Sequence, residues 1–216
     1  MKYLHVANLQ LDPESPREEF FRLIEHCRKE EKDVLFITGN VFLEKPSEQV
    51  LAAFDEALSV LSKTRIFIVS GRNEAKGGQN PGIHYAFHSA TTWFPENCIQ
   101  RIFLARFQLE VTGVSYGEET WKRVRPEILS RGRKGALQIL LLPFIGRDEN
   151  EWPEANASLR TEFDYVAIGQ GKALNGKEPA RIYSPGSFTS ADPEVPSLFT
   201  FIEGSAGFVG VKGAGV

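Results

Sequence analysis

Three apolar runs in the first third of the chain, separated by two segments of helical periodicity, constrain its fold more than any other feature. Tyr3-Leu4-His5-Val6-Ala7 reads as a short buried strand. Val34-Leu35-Phe36-Ile37-Thr38 is a second, ending at Gly39, and Arg65-Ile66-Phe67-Ile68-Val69-Ser70 a third, ending at Gly71. Between the first two, residues 16–32 place Phe20, Leu23, Ile24 and Cys27 on one helical face. Ser15 is the candidate N-cap, Pro16 sits at the first helical position and Glu18 follows three residues after the cap. Ser47 opens a second helix with Val50, Leu51, Phe54, Ala57, Leu58 and Leu61 on its apolar side. Strands that are apolar on both faces and alternate with helices form a parallel sheet covered by helices.

Beyond residue 75 the pattern is less regular. Ile102–Val114 suggests a hairpin with Phe103, Phe107, Leu109 and Val111 as inward residues, and Thr120–Arg131 a helix. Leu137–Leu142 and Phe163–Ile168 are apolar strands, the latter ending at Gly169. Ala180–Tyr183, Ser197–Ile202 and Gly207–Val211 are short, bounded by Gly, Pro or Ser, and read as antiparallel. No repeat or linker divides the sequence, and 216 residues suit one domain spanning 1–216.

With 42% hydrophobic and 25% charged residues the chain can bury a sizeable core. A net charge of -3 argues against wholesale attraction to nucleic acid but leaves room for a local basic patch. Cys27 and Cys98 lack CxxC spacing and are read as reduced thiols. The opening MKYLHVANLQL lacks the apolar run of a signal peptide, and no segment reaches the roughly 18 apolar residues of a membrane span. These features predict a soluble, cytoplasmic protein.

In open α/β sheets ligands gather beyond the carboxyl ends of the strands. Those ends carry Asn8 and Gln10, Gly39-Asn40, Gly71-Arg72-Asn73-Glu74, Pro143, and Gly169-Gln170-Gly171-Lys172. Any one of these polar clusters would be only a turn; five delivered to one edge have the layout of a site.

Read in order, these segments resemble the calcineurin-like metallophosphoesterases, nearest the SbcD-type exonucleases of DNA double-strand-break repair. MKYLHVANLQL resembles that family's opening strand, which ends in Ser-Asp-x-His-Leu, and DVLFITGNVFLEKPS its Gly-Asp motif. IFIVSGRNE is similar to its Gly-Asn-His-Asp/Glu motif, ILLLPFIG to its strand ending in Leu-Leu-His, and FDYVAIGQGK to its Gly-His-x-His motif. IYSPGSF resembles its Tyr-Pro-Gly-Ser turn, and GFVGVKG its closing strand. The resemblance covers nearly the whole chain. It implies a four-layer α/β/β/α sandwich of two mixed sheets flanked by helices, without the family's capping region.

The same resemblance implies that the family's two-metal centre, which would use divalent ions such as manganese, has been substituted away. Asn8 stands at the first Asp, Gln10 at the paired His, and Asn40 at the bridging Asp. Arg72 replaces a ligand Asn and Asn73 the catalytic His; Pro143, Gln170 and Lys172 replace three further His. A pair of divalent cations needs carboxylates and neutral imidazoles to offset its charge, and carboxamides supply dipoles only. A Lys or Arg at ~4 Å from a metal would cost about 4 kcal/mol per unit charge pair at an effective dielectric near 20. No catalytic residue, metal ligand or cofactor is therefore expected.

Other readings stay open at this stage. Asp12, Glu44 and Glu74 are the acids available to rebuild a metal site. Arg72 and Lys172 could bind a phosphate or carboxylate directly, with Asn8, Asn40, Asn73 and Gln170 donating hydrogen bonds. Lys122, Arg123, Arg125, Arg131, Arg133 and Lys134 form the one strong charge asymmetry, either a nucleic-acid patch or a solvated helix and loop. Trp121 and Trp152 could stack on bases or pack on the sheet. His84 and His88 have i, i+4 spacing without a Glu-x-x-His context and read as a packed or surface pair; His5 reads as a satisfied core residue and His26 as solvated. Phe87, Trp93 and Phe94 could form a contact surface or core. The leading expectation is a binding or scaffold domain with a protein partner. The rival is a residual phosphodiesterase or nuclease.

Overall fold

A computed structural model describes residues 1–12, 18–96, 98–117, 132–143, 162–169, 173–174, 182–186, 188 and 202–205. The expected opening is present: β1 (Lys2–Ala7), α1 (Glu18–Lys29), β2 (Val34–Gly39), α2 (Glu48–Ser59) and β3 (Arg65–Ser70). Phe20, Leu23, Ile24 and Cys27 are the buried face of α1, as their spacing requires. Ser47 caps α2 by accepting from the Val50 amide at 3.3 Å. Two single-turn helices follow, α3 (Arg72–Ala75) and α4 (Pro81–His84), then β4 (Thr91–Trp93).

The hairpin expected over 102–114 is β5 (Gln100–Leu104) and β6 (Leu109–Gly113), antiparallel and joined by a 3-10 turn. Next come β7 (Leu137–Leu142), β8 (Tyr165–Ile168), β9 (Ala173–Leu174), β10 (Ile182–Pro185) and β11 (Ile202–Ser205). The first sheet has the order β11-β1-β2-β3-β4 and the second β5-β6-β7-β8-β10-β9. Both are mixed: β11 runs antiparallel to β1, and the parallel run β6-β7-β8-β10 is flanked by antiparallel β5 and β9. The tail is therefore not uniformly antiparallel. Ile182–Pro185 lies parallel to β8, with Ile182 buried on the outer face and Tyr183 turned towards the inter-sheet core.

The layers follow from period-two burial. One face of the first sheet packs on α1 and α2 through Leu4, Val6, Leu35, Ile37, Ile66 and Ile68. Its other face, with Tyr3, Phe36, Phe67 and Val69, meets Leu109, Val111, Ile139, Leu141 and Tyr165 of the second sheet. Leu140, Leu142, Val166 and Ile168 form a third apolar cluster on the far side of the second sheet. The helix expected over 120–131 and the strand over 207–211 lie outside the described residues. Trp93 and Phe94 are core residues at 7% and 0% exposure, not a contact surface. Phe103 also departs from expectation: Ile102 and Leu104 pack on the inter-sheet core, so alternation turns Phe103 to the other face, where Arg133 lies over its ring at 4.1 Å.

His5 is the one buried histidine and bridges the sheets. Its Nδ1 lies 2.9 Å from the Tyr165 hydroxyl and its Nε2 2.8 Å from Thr38 Oγ1. The hydrogen positions that serve all three groups have Tyr165 donating to Nδ1 and Nε2–H donating to Thr38, so the ring is neutral. Burial lowers its pKa from 6.5 to about 3. The unfolded chain takes up this proton near 6.5, so the stability contribution is intact above pH 6.5 and is lost as pH falls towards 3. His5→Leu is expected to cost about 1–3 kcal/mol at pH 7 by stranding the Tyr165 and Thr38 hydroxyls. Urea unfolding across pH 7 to 4 should show that gap narrowing as the solution is acidified.

Candidate functional site

The strand ends do converge, and backbone conformation brings them together. Asn8 follows β1 in the left-handed region at φ 49°, and Gly39 ends β2 at φ +80°. Asn is the non-glycine residue that best tolerates that region, whereas a Cβ at Gly39 would collide with the Asn8 carboxamide. Gly169, at the end of β8, has its Cα against Gly39 so closely that a Cβ there would strike the Gly39 backbone. The two sheets thus touch main chain to main chain at this edge.

The carboxamides of Asn8, Asn40 and Asn73 are directed to the neighbouring backbone. Asn8 Oδ1 accepts from the Asn40 amide at 3.0 Å, and Asn40 Oδ1 accepts from the Asn73 amide at 3.3 Å. Asn73 Nδ2 then donates to the Phe42 carbonyl at 3.1 Å. Asn8 is buried, Asn40 and Asn73 half-buried. Gln10, also left-handed at φ 48°, is half-buried, and its backbone amide donates to the Asn40 carbonyl at 3.1 Å. Arg72 is exposed, with its guanidinium 5.3 Å from the Tyr116 ring centroid. The structure therefore brings together Asn8, Gln10, Asn40 and Asn73, with Arg72 on the adjoining surface. Gln170 and Lys172 lie outside the described residues.

The acids proposed for a rebuilt metal site do not assemble. Asp12 and Glu44 are exposed, while Glu74 is fully buried and its Oε1 accepts from the Phe42 amide at 2.7 Å. Among the described residues no group of three His, Cys, Asp or Glu could hold a metal. All four histidines of the chain are described, and none joins the strand-end cluster. His84 closes α4, and the extended backbone at Tyr85 separates it from His88, so the two share no helix. His88 instead donates its backbone amide to Asp55 at 2.7 Å and sets its Nδ1 3.1 Å from the same carboxylate. The donor set at the described strand ends does not fit a pair of divalent cations, since its one carboxyl, Glu74, is buried on the Phe42 amide, it offers no imidazole, and its Asn8 and Asn40 oxygens already accept backbone N–H bonds.

Of the basic cluster, Lys122, Arg123, Arg125 and Arg131 lie outside the described residues, as do Trp121 and Trp152. Arg133 and Lys134 are exposed beside β5.

A scan of protein-family models finds no match, and a search of curated proteins finds none either. Solved structures do match. TT1561 of Thermus thermophilus superposes with a TM-score of 0.53 at 15% identity, over 86% of this chain and 89% of that one. GAP50, the anchor in the inner membrane complex of Plasmodium, superposes with a TM-score of 0.56 at 10% identity, over 94% of this chain and 80% of that one. The shared feature is the fold. It is an α/β sandwich consistent with a metallophosphoesterase-like architecture. Among the described residues no helix is long and apolar enough to cross a membrane.

Two structural features lie beyond the sequence reading, and a third residue that it named has a different setting. Asn80 is fully buried, caps α4 through Gly82 and hydrogen-bonds Ser70 at the end of β3; the Asn80-Pro81 pair was its visible signal. Asp55 fastens the 88–89 turn, and a carboxylate on the apolar face of α2 pointed to that. Glu74 is the third. Burial raises its pKa from 4.5 to about 7, against the pull of the Phe42 amide, and its Oε2 has no partner.

The folded chain therefore keeps a proton on Glu74 that the unfolded chain has released above pH 4.5. That contribution favours folding below pH 4.5 and is lost as pH rises through 7. Glu74→Gln should be close to neutral at pH 4.5 and stabilising by about 2–3 kcal/mol at pH 8. Paired chemical melts at those two pH values check this.

Proposed function

We propose that this chain is a non-catalytic, metallophosphoesterase-like domain of DNA repair exonuclease lineage that acts as a binding or scaffold protein for a protein partner and needs no cofactor. The observation that carries this reading is the direction of the carboxamides. A hydrolytic centre of this kind needs side-chain oxygens aimed outwards at metals, which in turn supply the attacking hydroxide. Asn8 and Asn40 instead give their oxygens to the backbone of the next strand end. The lineage rests on the order of the sequence motifs, and the scaffold role draws support from GAP50, an anchor with a similar fold.

Two other readings keep some support. Arg72, exposed over Tyr116, suits a phosphate or carboxylate that Lys172 would help to hold. Arg133, exposed and over the Phe103 ring, suits a phosphate-bearing strand, as in the nucleic-acid version of the scaffold reading.

Purified protein analysed by inductively coupled plasma mass spectrometry should carry far less than one divalent metal per chain. It should not turn over bis-p-nitrophenyl phosphate with added manganese. Stoichiometric manganese, zinc or iron, with turnover that disappears in Asn40→Ala, would overturn the reading.

A further inference from the structure

The helical face of the first sheet carries an apolar groove that the strand-end cluster does not use. It lies between α1 and α2, has a volume of about 370 Å3, and is floored by Phe20, Phe42 and Phe54. These rings hold one another: Phe54 stacks on Phe20 and meets Phe42 edge-on, each at 5.3 Å between centroids. The floor is therefore preformed. Its rim is exposed and apolar. Phe21 at 51% and Val60 at 53% exposure are two of the three exposed large hydrophobic side chains among the described residues, and both line the groove. The third, Leu43, directly follows Phe42. On the outward side of α2, Ala52, Ala53 and Val60 stand where an isolated surface helix would carry polar residues.

Among the described residues the charge on the groove is of one sign: Asp12 and Glu56 are its charged lining residues. Helix α2 has Glu48, Asp55 and Glu56 and no basic residue. A second copy that set α2 against α2 would bring like charges together. From this geometry we infer that the groove docks an amphipathic helix of another protein, with two or three large apolar residues inserted on the aromatic floor and Lys or Arg alongside meeting Glu56. Apolar anchors in a preformed groove supply the affinity, and the flanking charge sets which helices are accepted. The inference does not depend on what the strand-end cluster binds.

The test uses a fluorescein-labelled amphipathic peptide of Leu and Lys, with Leu at helical i, i+3, i+4 and i+7 spacing, and a partner peptide with Glu for Lys. Anisotropy titration of the whole chain should show saturable binding of the Lys peptide and none of the Glu peptide. The double variant Phe21→Gln, Val60→Asn should weaken binding at least about tenfold, and Glu56→Lys should reverse the preference between peptides. All three sites are exposed, so unchanged melting temperatures are expected to show intact folds. Equal affinity in the double variant, or no binding of the Lys peptide, would overturn the inference. So would a dimer in sedimentation that the double variant abolishes, which would make a second copy the occupant.

Discussion

The hydrogen bond from the Asn40 amide to the Asn8 carboxamide is the interaction on which the functional edge of this molecule depends. It forms because Asn8 adopts a left-handed backbone directly after β1 and Gly39 does the same at the end of β2. Those two turns set β1 and β2 to leave the sheet side by side, and the lack of a side chain at Gly39 lets Gly169 of the second sheet close on it. From there the contacts propagate: Asn40 takes the Asn73 amide, and Glu74, one residue on, takes the Phe42 amide. A substitution that lengthened either turn would disturb both sheets at once.

This arrangement has a chemical consequence. A carboxamide can present an oxygen to a ligand or satisfy a neighbouring backbone N–H, and a half-buried amide left unsatisfied costs about 1–3 kcal/mol. The edge resolves the choice towards structure. Among the described residues, exposed large apolar side chains gather elsewhere, at Phe21, Leu43 and Val60. This is the physical basis on which we propose a domain that holds a partner rather than one that transforms a substrate.

The sequence made the first half of this legible because its signals were local and repeated. The periodicity of α1, the Ser47 cap and the three buried strands each follow from spacing alone, and His5 was recognisable as a core residue. The strand ends were legible as a group, since Gly and Asn after apolar runs mark turns in a parallel sheet. What they do to one another was not, because the partners of Asn8, Asn40 and Glu74 stand thirty or more residues away in sequence. Glu74 was read as an acid available to a rebuilt metal site and is instead buried, a matter of tertiary packing with no local signature. Phe103 was misassigned because its apolar character was read without the alternation that places Ile102 and Leu104 inward. The groove combines residues that follow β1 and β2 with residues of both helices, and no linear pattern announces such a juxtaposition.

The account is tested most directly by hydrogen exchange at two backbone amides. If the carboxamides are committed to structure, the Asn40 and Asn73 amides exchange slowly, and adding manganese or phosphate changes neither rate. Replacing Asn8 by alanine then speeds exchange at Asn40 first. Fast exchange at both amides in the unaltered protein, or release of them when manganese is added, would contradict it, because the Asn8 and Asn40 oxygens would then be free to serve a ligand.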